Sequence, residues 1–142
     1  MRVVFDTNIY ISAFGIPGGN AENAYLSAVH GTFELCTSVA ILTELARKLE
    51  EKFGWEKQKI AQLITSIADV AVVLKTTPSL KVLSDDPDNR ILECAVEAEA
   101  QLLVTTDKHL LKLEQYGDFK IVKLSDFVTI LQQTPTESNP FE

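Results

Sequence analysis

Val3, Val4 and Phe5 follow one another without a polar break, and the run stops on Asp6. Consecutive β-formers without alternation predict a strand buried on both faces. Leu102 to Thr105 repeats the pattern and leads to Asp107. Phe33–Cys36, Val70–Leu74 and Lys120–Val122 read as three further strands. Between them the apolar positions take helical spacing. Ile41, Leu42, Leu45 and Leu49 form the buried side of a helix capped by Ser38 and running to about Phe53, where Gly54 breaks it. Ile60, Leu63, Ile64 and Ile67 do the same within Glu56–Ala68, and Ile91, Leu92, Ala95 and Val96 within a helix begun by Asp86 or Asp88. Shorter helices are predicted over Ala21–His30, over Lys108–Glu114, and from Ser125 or Asp126 to about Gln132. Gly15–Asn20 and Pro78–Pro87 carry loop chemistry.

Strands alternating with helices predict an α/β fold: three layers, with a central, mostly parallel sheet of about five strands flanked by helices. Such a sheet collects its strand tips, and the helix starts that follow them, at one edge. The expected domain spans 1–133. Residues 134–142 hold two prolines and little to bury, which predicts a flexible tail.

Composition narrows the class. A chain of 142 residues that is 46% hydrophobic and 23% charged suits one soluble domain with a real core. No apolar stretch approaches the roughly 20 residues of a membrane span. A strand beginning at the first residues leaves no room for a signal peptide. Cys36 and Cys94 lie in apolar contexts without metal-ligand spacing, as reduced core thiols do, and the expected location is cytoplasmic. The net charge of −7 argues against a protein that grips nucleic acid with its whole surface. Basic residues do cluster locally, at Arg47, Lys48 and Lys52, at Lys57 and Lys59, and at Lys108, His109 and Lys112. Each cluster reads first as a solvated helix face.

Candidate chemistry rests on carboxylates. Asp6 and Asp107 end buried strands, where a charge is costly unless paired. Asp88 opens a helix with an apolar face, and Glu44 lies beside Ile41 and Leu45. Each has a plain alternative. Asp107 and Asp88 suit helix N-caps, Asp6 suits a turn, and Glu44 with Lys48 suits an i,i+4 ion pair. If all four converge, mutual repulsion raises their pKa values, and a hard divalent cation relieves it. Oxygen donors suit Mg²⁺ or Mn²⁺, and no His or Cys set is present for zinc. The chemistry such a site implies is phosphodiester hydrolysis.

The segments VVFDTNIYISA, CTSVAILTELARKL and DDPDNRILECAVEAEAQLLVTTDKHLL, in this order and spacing, resemble the PIN-domain proteins, in the branch of toxin–antitoxin toxins related to VapC. The resemblance runs from Met1 to about Leu131. It implies a parallel sheet with flanking helices and a Mg²⁺- or Mn²⁺-dependent ribonuclease site whose acidic residues fall on Asp6, Glu44, Asp88 and Asp107. Asn8 and Thr105 match supporting polar positions; the run Asp85, Asp86, Pro87, Asp88 leaves the third acidic position ambiguous, Asp88 fits it by its spacing to Ile91 and Ala95, and Asp86 or Asp85 either adds to the site or only hydrogen-bonds the loop. The implied partners are an RNA substrate, a cognate antitoxin and a second copy of the chain; no membrane is implied. Two departures stand out: Thr106 and Glu99 occupy positions where glycine is common in that branch. A haloacid-dehalogenase-like phosphatase needs an aspartate at position 8, where Asn8 stands, and a receiver domain needs an acceptor aspartate after a middle strand, which Val70–Thr77 lacks. The non-enzymatic alternative is a PIN fold that binds RNA or protein without cutting.

Overall fold

The computed structural model describes residues 1–133; the predicted tail, 134–142, lies outside them. Strand β1 (Arg2–Phe5) is followed at once by α1 (Thr7–Gly15) and then by α2 (Asn20–Val29). Next come β2 (Glu34–Ser38), α3 (Val39–Glu51), α4 (Lys57–Val70) and β3 (Val72–Leu74). The second half holds α5 (Asp86–Glu97), β4 (Leu102–Thr105), α6 (Lys108–Leu111), β5 (Gln115–Tyr116), β6 (Phe119–Lys123) and α7 (Leu124–Gln133). The sheet order is β3-β2-β1-β4-β6-β5, parallel except for β5, which pairs antiparallel with β6. Helices cover both faces, so the fold is the expected three-layer α/β arrangement.

All five predicted strands form. Two elements were not anticipated. Helix α1 starts directly after Asp6, and its residues TNIYISAFG lack the charged outer face that marks an amphipathic helix. Thr7, Ile9, Tyr10 and Ala13 are buried because α1 is packed between α2 and α3. The two-residue β5 is too short for a periodic signal, and α6 before it ends at Leu111 rather than at the expected Glu114. Boundaries also move. Val70 ends α4 rather than opening β3, α7 begins at Leu124, and Val96, expected on the buried face of α5, is 50% exposed.

The core is continuous across the sheet. Val3, Val4, Phe5, Leu103 and Val104 are fully buried, as the unbroken apolar runs predict. Phe5 meets Phe33 and Phe127 at ring-centroid distances of 5.9 and 5.8 Å, and Phe33 meets Phe127 at 5.2 Å, which docks α7. Aromatic pairs at such distances add about 0.5–1.5 kcal/mol each beyond area burial. Cys36 and Cys94 are free and buried.

The end of α5 explains the Glu99 departure. The Glu99 N–H donates to the Val96 carbonyl at 3.1 Å and the Ala100 N–H to Ala95 at 3.0 Å, the paired bonds of a Schellman cap. Glu99 sits at φ +51°, the left-handed conformation such a cap favours and glycine adopts most readily. Thr106 is not among the residues at positive φ, so the approach to Asp107 needs no glycine there.

Candidate active site

Strand order reverses between β1 and β4: the chain builds β2 and β3 on one side of β1, then crosses to β4 and β6 on the other. The crevice of an open α/β sheet opens beyond the strand ends at such a switch. Asp6 leaves β1 and Asp107 follows β4 at this point. The Asp6 N–H donates to the Val104 carbonyl at 3.0 Å, which ties the two strand ends together.

Both aspartates also cap helices. Asp107 Oδ1 accepts from the N–H groups of His109 and Leu110 at 2.7 and 3.2 Å. Asp6 Oδ1 accepts from the Asn8 N–H at 3.4 Å and from Thr7 Oγ1 at 3.2 Å. The capping alternative is thus real for both residues, and it does not exhaust them. Asp6 Oδ2 accepts from Thr105 Oγ1 at 2.6 Å, and that same hydroxyl oxygen accepts from the Asp107 N–H at 3.0 Å. Fully buried Thr105 therefore holds the two aspartates in one frame. Asn8 lines the cleft through its side of α1.

Asp88 differs in kind. The N-cap of α5 is Asp85, so Asp88 sits in the first turn and is not itself the cap. It is 6% exposed, and its buried Oδ2 has no hydrogen-bond partner. Burial above all, then the charges of Asp107, Asp85 and Asp6, push its carboxyl up to about 7, while Lys48 pulls it down. The repulsion expected of converging carboxylates is therefore present at this residue.

A polar clamp fixes where α5 starts. Asn89 Oδ1 accepts from the N–H groups of Val82 and Leu83 at 3.1 and 2.9 Å, and its Nδ2 donates to the Leu83 carbonyl at 2.8 Å. One turn on, Glu93 Oε2 accepts from the N–H groups of Ser79 and Leu80 at 2.6 and 2.7 Å. Arg90 pairs with Glu93 at 2.9 Å and donates to the Leu80 carbonyl at 3.0 Å. The loop before the helix is thereby held on the helix itself, and Asp88 is presented to the crevice.

Glu44 comes from α3. The expected i,i+4 pair with Lys48 does not form. Arg47 takes the Glu44 carboxylate in a fork, at 3.0 Å from Nε and 2.5 Å from Nη2, and also reaches Glu51. The hydrogen bonds from Arg47 hold the Glu44 carboxyl below its ordinary value. Released from that pair, Lys48 turns inward and its Nζ donates to Thr7 Oγ1 at 2.8 Å. Thr7 in turn donates to Asp6, so a cation is linked to the centre through one hydroxyl.

These groups line a cleft of about 600 Å³ that collects Asp6, Asn8, Glu44, Asp85, Asp86, Asp88 and Asp107, with Arg47, Lys48, Lys52 and Arg90 beside them. The donor set is hard oxygen, and the unpartnered Asp88 Oδ2 is the kind of atom a divalent cation satisfies. Among the described residues, no group of three or more Asp, Glu, His or Cys side chains is arranged to hold a metal as they stand. The hydrogen bonds above give the reason: Glu44 is turned to Arg47 and one Asp107 oxygen to α6. Oxygen donors of this kind fit Mg²⁺ or Mn²⁺ by their chemistry.

Thr7, Lys48, Asn89, Arg90 and Glu93 were not singled out as site residues from the sequence. Lys48 carried a signal, its i+4 spacing from Glu44, that local helix rules assign to the wrong partner.

A profile described as PIN domain matches residues 2–109. An uncharacterized protein of Methanocaldococcus jannaschii, MJ1680, is 30% identical over 146 aligned residues, covering 96% of this chain and 88% of that protein. The structure of VapBC2 from Rickettsia felis, bound to a DNA fragment from their promoter, superposes with a TM-score of 0.62. It covers 87% of this chain and 98% of that one at 16% identity, a likeness of fold.

Proposed function

We propose, for a chain that belongs to the PIN domain family, that the cleft is the site of a Mg²⁺- or Mn²⁺-dependent endoribonuclease. The observation that carries the reading is the buried, unpartnered Asp88 carboxylate facing the charges of Asp6, Asp85 and Asp107 at the sheet's switch point. Asp6, Glu44, Asp88 and Asp107 are the residues that would hold the cation, with Asp86 or Asp85 adding to the set. When bound, the cation supplies an acidified water and charge neutralisation on the phosphate, the requirements of phosphodiester hydrolysis.

The chain's own residues prepare the site. Thr105 orients one oxygen of Asp6 and the backbone of Asp107, and Thr7 orients the other oxygen of Asp6. The Asn89 and Glu93 clamp sets the depth of Asp88. Asn8 lies at the rim as a polar support.

The biological role we propose is the toxin of a toxin–antitoxin pair, restrained by a cognate antitoxin and working as a homodimer. The support is the VapC-related pattern of the sequence and the VapBC2 fold likeness. Among the described residues no helix is long and apolar enough to cross a membrane, and both thiols are free, which suits a cytoplasmic site of action.

The test is cleavage of a panel of structured and single-stranded RNAs with Mn²⁺, comparing the wild type with Asp6→Asn. Loss of cleavage in the variant is expected, and equal cleavage by both overturns the role of Asp6. One observation favours a second reading, a PIN fold that binds without cutting: Glu44 is held by Arg47 rather than left free. An inactive wild type whose melting temperature ignores Mg²⁺ and Mn²⁺ would support that alternative.

A further inference from the structure

A carboxylate centre and a phosphodiester strand repel each other, so a nuclease of this kind needs positive charge beside its acids. A net charge of −7 provides no general attraction, and the counter-charge must be local. Four basic side chains line the cleft: Arg47, Lys48, Lys52 and Arg90. Two of them are committed elsewhere. Arg47 is held by Glu44 and Glu51, and Arg90 by Glu93 and the Leu80 carbonyl.

Lys48 and Lys52 remain. Lys48 gives one hydrogen bond to Thr7, which leaves two of the three N–H donors of an ammonium. Among the described residues, Lys52 makes no ion pair within 4.0 Å. Glu44, Lys48 and Lys52 follow at i, i+4 and i+8 of α3 and its C-cap, so they share one helix face, each step about 6 Å along the axis. All three line the cleft. The row begins at a proposed cation ligand and leads outward to solvent.

Resting on the nuclease reading above, we infer that this face of α3 is a track for a single-stranded RNA backbone. Lys48 binds the phosphate at the scissile bond and Lys52 binds the next phosphate along the strand. The linkage from Lys48 through Thr7 to Asp6 aligns the first phosphate with the acidic centre. The track reads charge and spacing, and it carries no base preference.

The experiment measures binding apart from cleavage. A short fluorescein-labelled single-stranded RNA is titrated with the full chain in Ca²⁺, in place of Mg²⁺, over a series of salt concentrations, and a gel verifies that the RNA stays intact. The slope of log affinity against log salt should fall by about 0.7 for Lys48→Ala and again for Lys52→Ala. Lys48→Arg should restore it, and Lys108→Ala and Lys112→Ala, on the other basic cluster, should leave it unchanged. Thermal melting confirms that each variant is folded. Unchanged slopes in the Lys48 and Lys52 variants, equal losses in the Lys108 and Lys112 variants, or salt-independent binding by the wild type would overturn the track. Cleavage that depends on Asp6 would still stand in that event. Conversely, lowered slopes in a protein that never cleaves would keep the track and remove the nuclease.

Discussion

Asp88→Asn should make the metal-free protein more stable, and increasingly so as the pH rises. The Asp88 carboxyl is 6% exposed and is pushed from the ordinary 3.8 up to about 7, by burial first and then by Asp107, Asp85 and Asp6. A carboxyl whose folded pKa lies above its unfolded one favours folding while it holds its proton. That contribution is complete below about pH 4 and is lost as the pH climbs through about 7. At about 1.4 kcal/mol per pKa unit the ceiling is about 4 kcal/mol. The cleft is open to water and salt, which screens the neighbouring charges, so about 2 kcal/mol is the realistic span. Asparagine keeps the shape and removes the titration. In EDTA, urea unfolding of both proteins should show the variant's advantage growing by about 1.5 kcal/mol between about pH 4 and pH 8, a window that holds most of that span. Mg²⁺ at saturating concentration should reverse the order, stabilising the wild type by about 2–3 kcal/mol when it stands near 100 times its dissociation constant. An advantage that is the same at both pH values, or a variant less stable than wild type at pH 8 in EDTA, would refute the argument that the carboxylates converge on Asp88.

Three further outcomes test the supports of the site and the fold. Asn89→Ala removes the acceptor for the N–H groups of Val82 and Leu83 and the donor to the Leu83 carbonyl, and should cost about 3 kcal/mol in urea unfolding; a loss under about 0.5 kcal/mol would show that the loop is held by something else. Thr105→Val keeps the shape of the strand but unpairs Asp6 Oδ2 and the Asp107 N–H, so it should cost about 2 kcal/mol and weaken the Mn²⁺-induced rise in melting temperature; an unaltered metal response would refute its orienting role. Glu99→Gly relieves a left-handed backbone at the Schellman cap and should stabilise by about 1 kcal/mol, read by thermal melting, whereas Glu99→Ala should not.

The parts of the fold legible in the sequence were those with a strong repeating signal. Unbroken apolar runs marked β1 and β4, and helical spacing marked α3, α4 and α5. Helix α1 escaped because its burial comes from packing between α2 and α3, so its outer positions carry no charge to mark them. Val96 misled because its neighbours at helical spacing were buried while its own position faces water. At the site, Asp6 and Asp107 stood out as charges ending buried strands. Their capping and site readings could not be separated by sequence, and in the fold both aspartates cap helices and line the cleft.

The sequence by itself determined the element types, the sheet's parallel character and the family, because each follows from local periodicity or from motif order. It also placed carboxylates after β1 and β4. Only the tertiary structure decided which of several nearby groups meet. It buried Asp88 and left Asp85 and Asp86 exposed, because the Asn89 and Glu93 clamp sets how deeply α5 enters the crevice. It gave Glu44 to Arg47 and turned Lys48 to Thr7, a contact 41 residues away in sequence. Spacing along one helix lists the partners within reach of a side chain, and the neighbouring elements that close around it determine which partner it keeps.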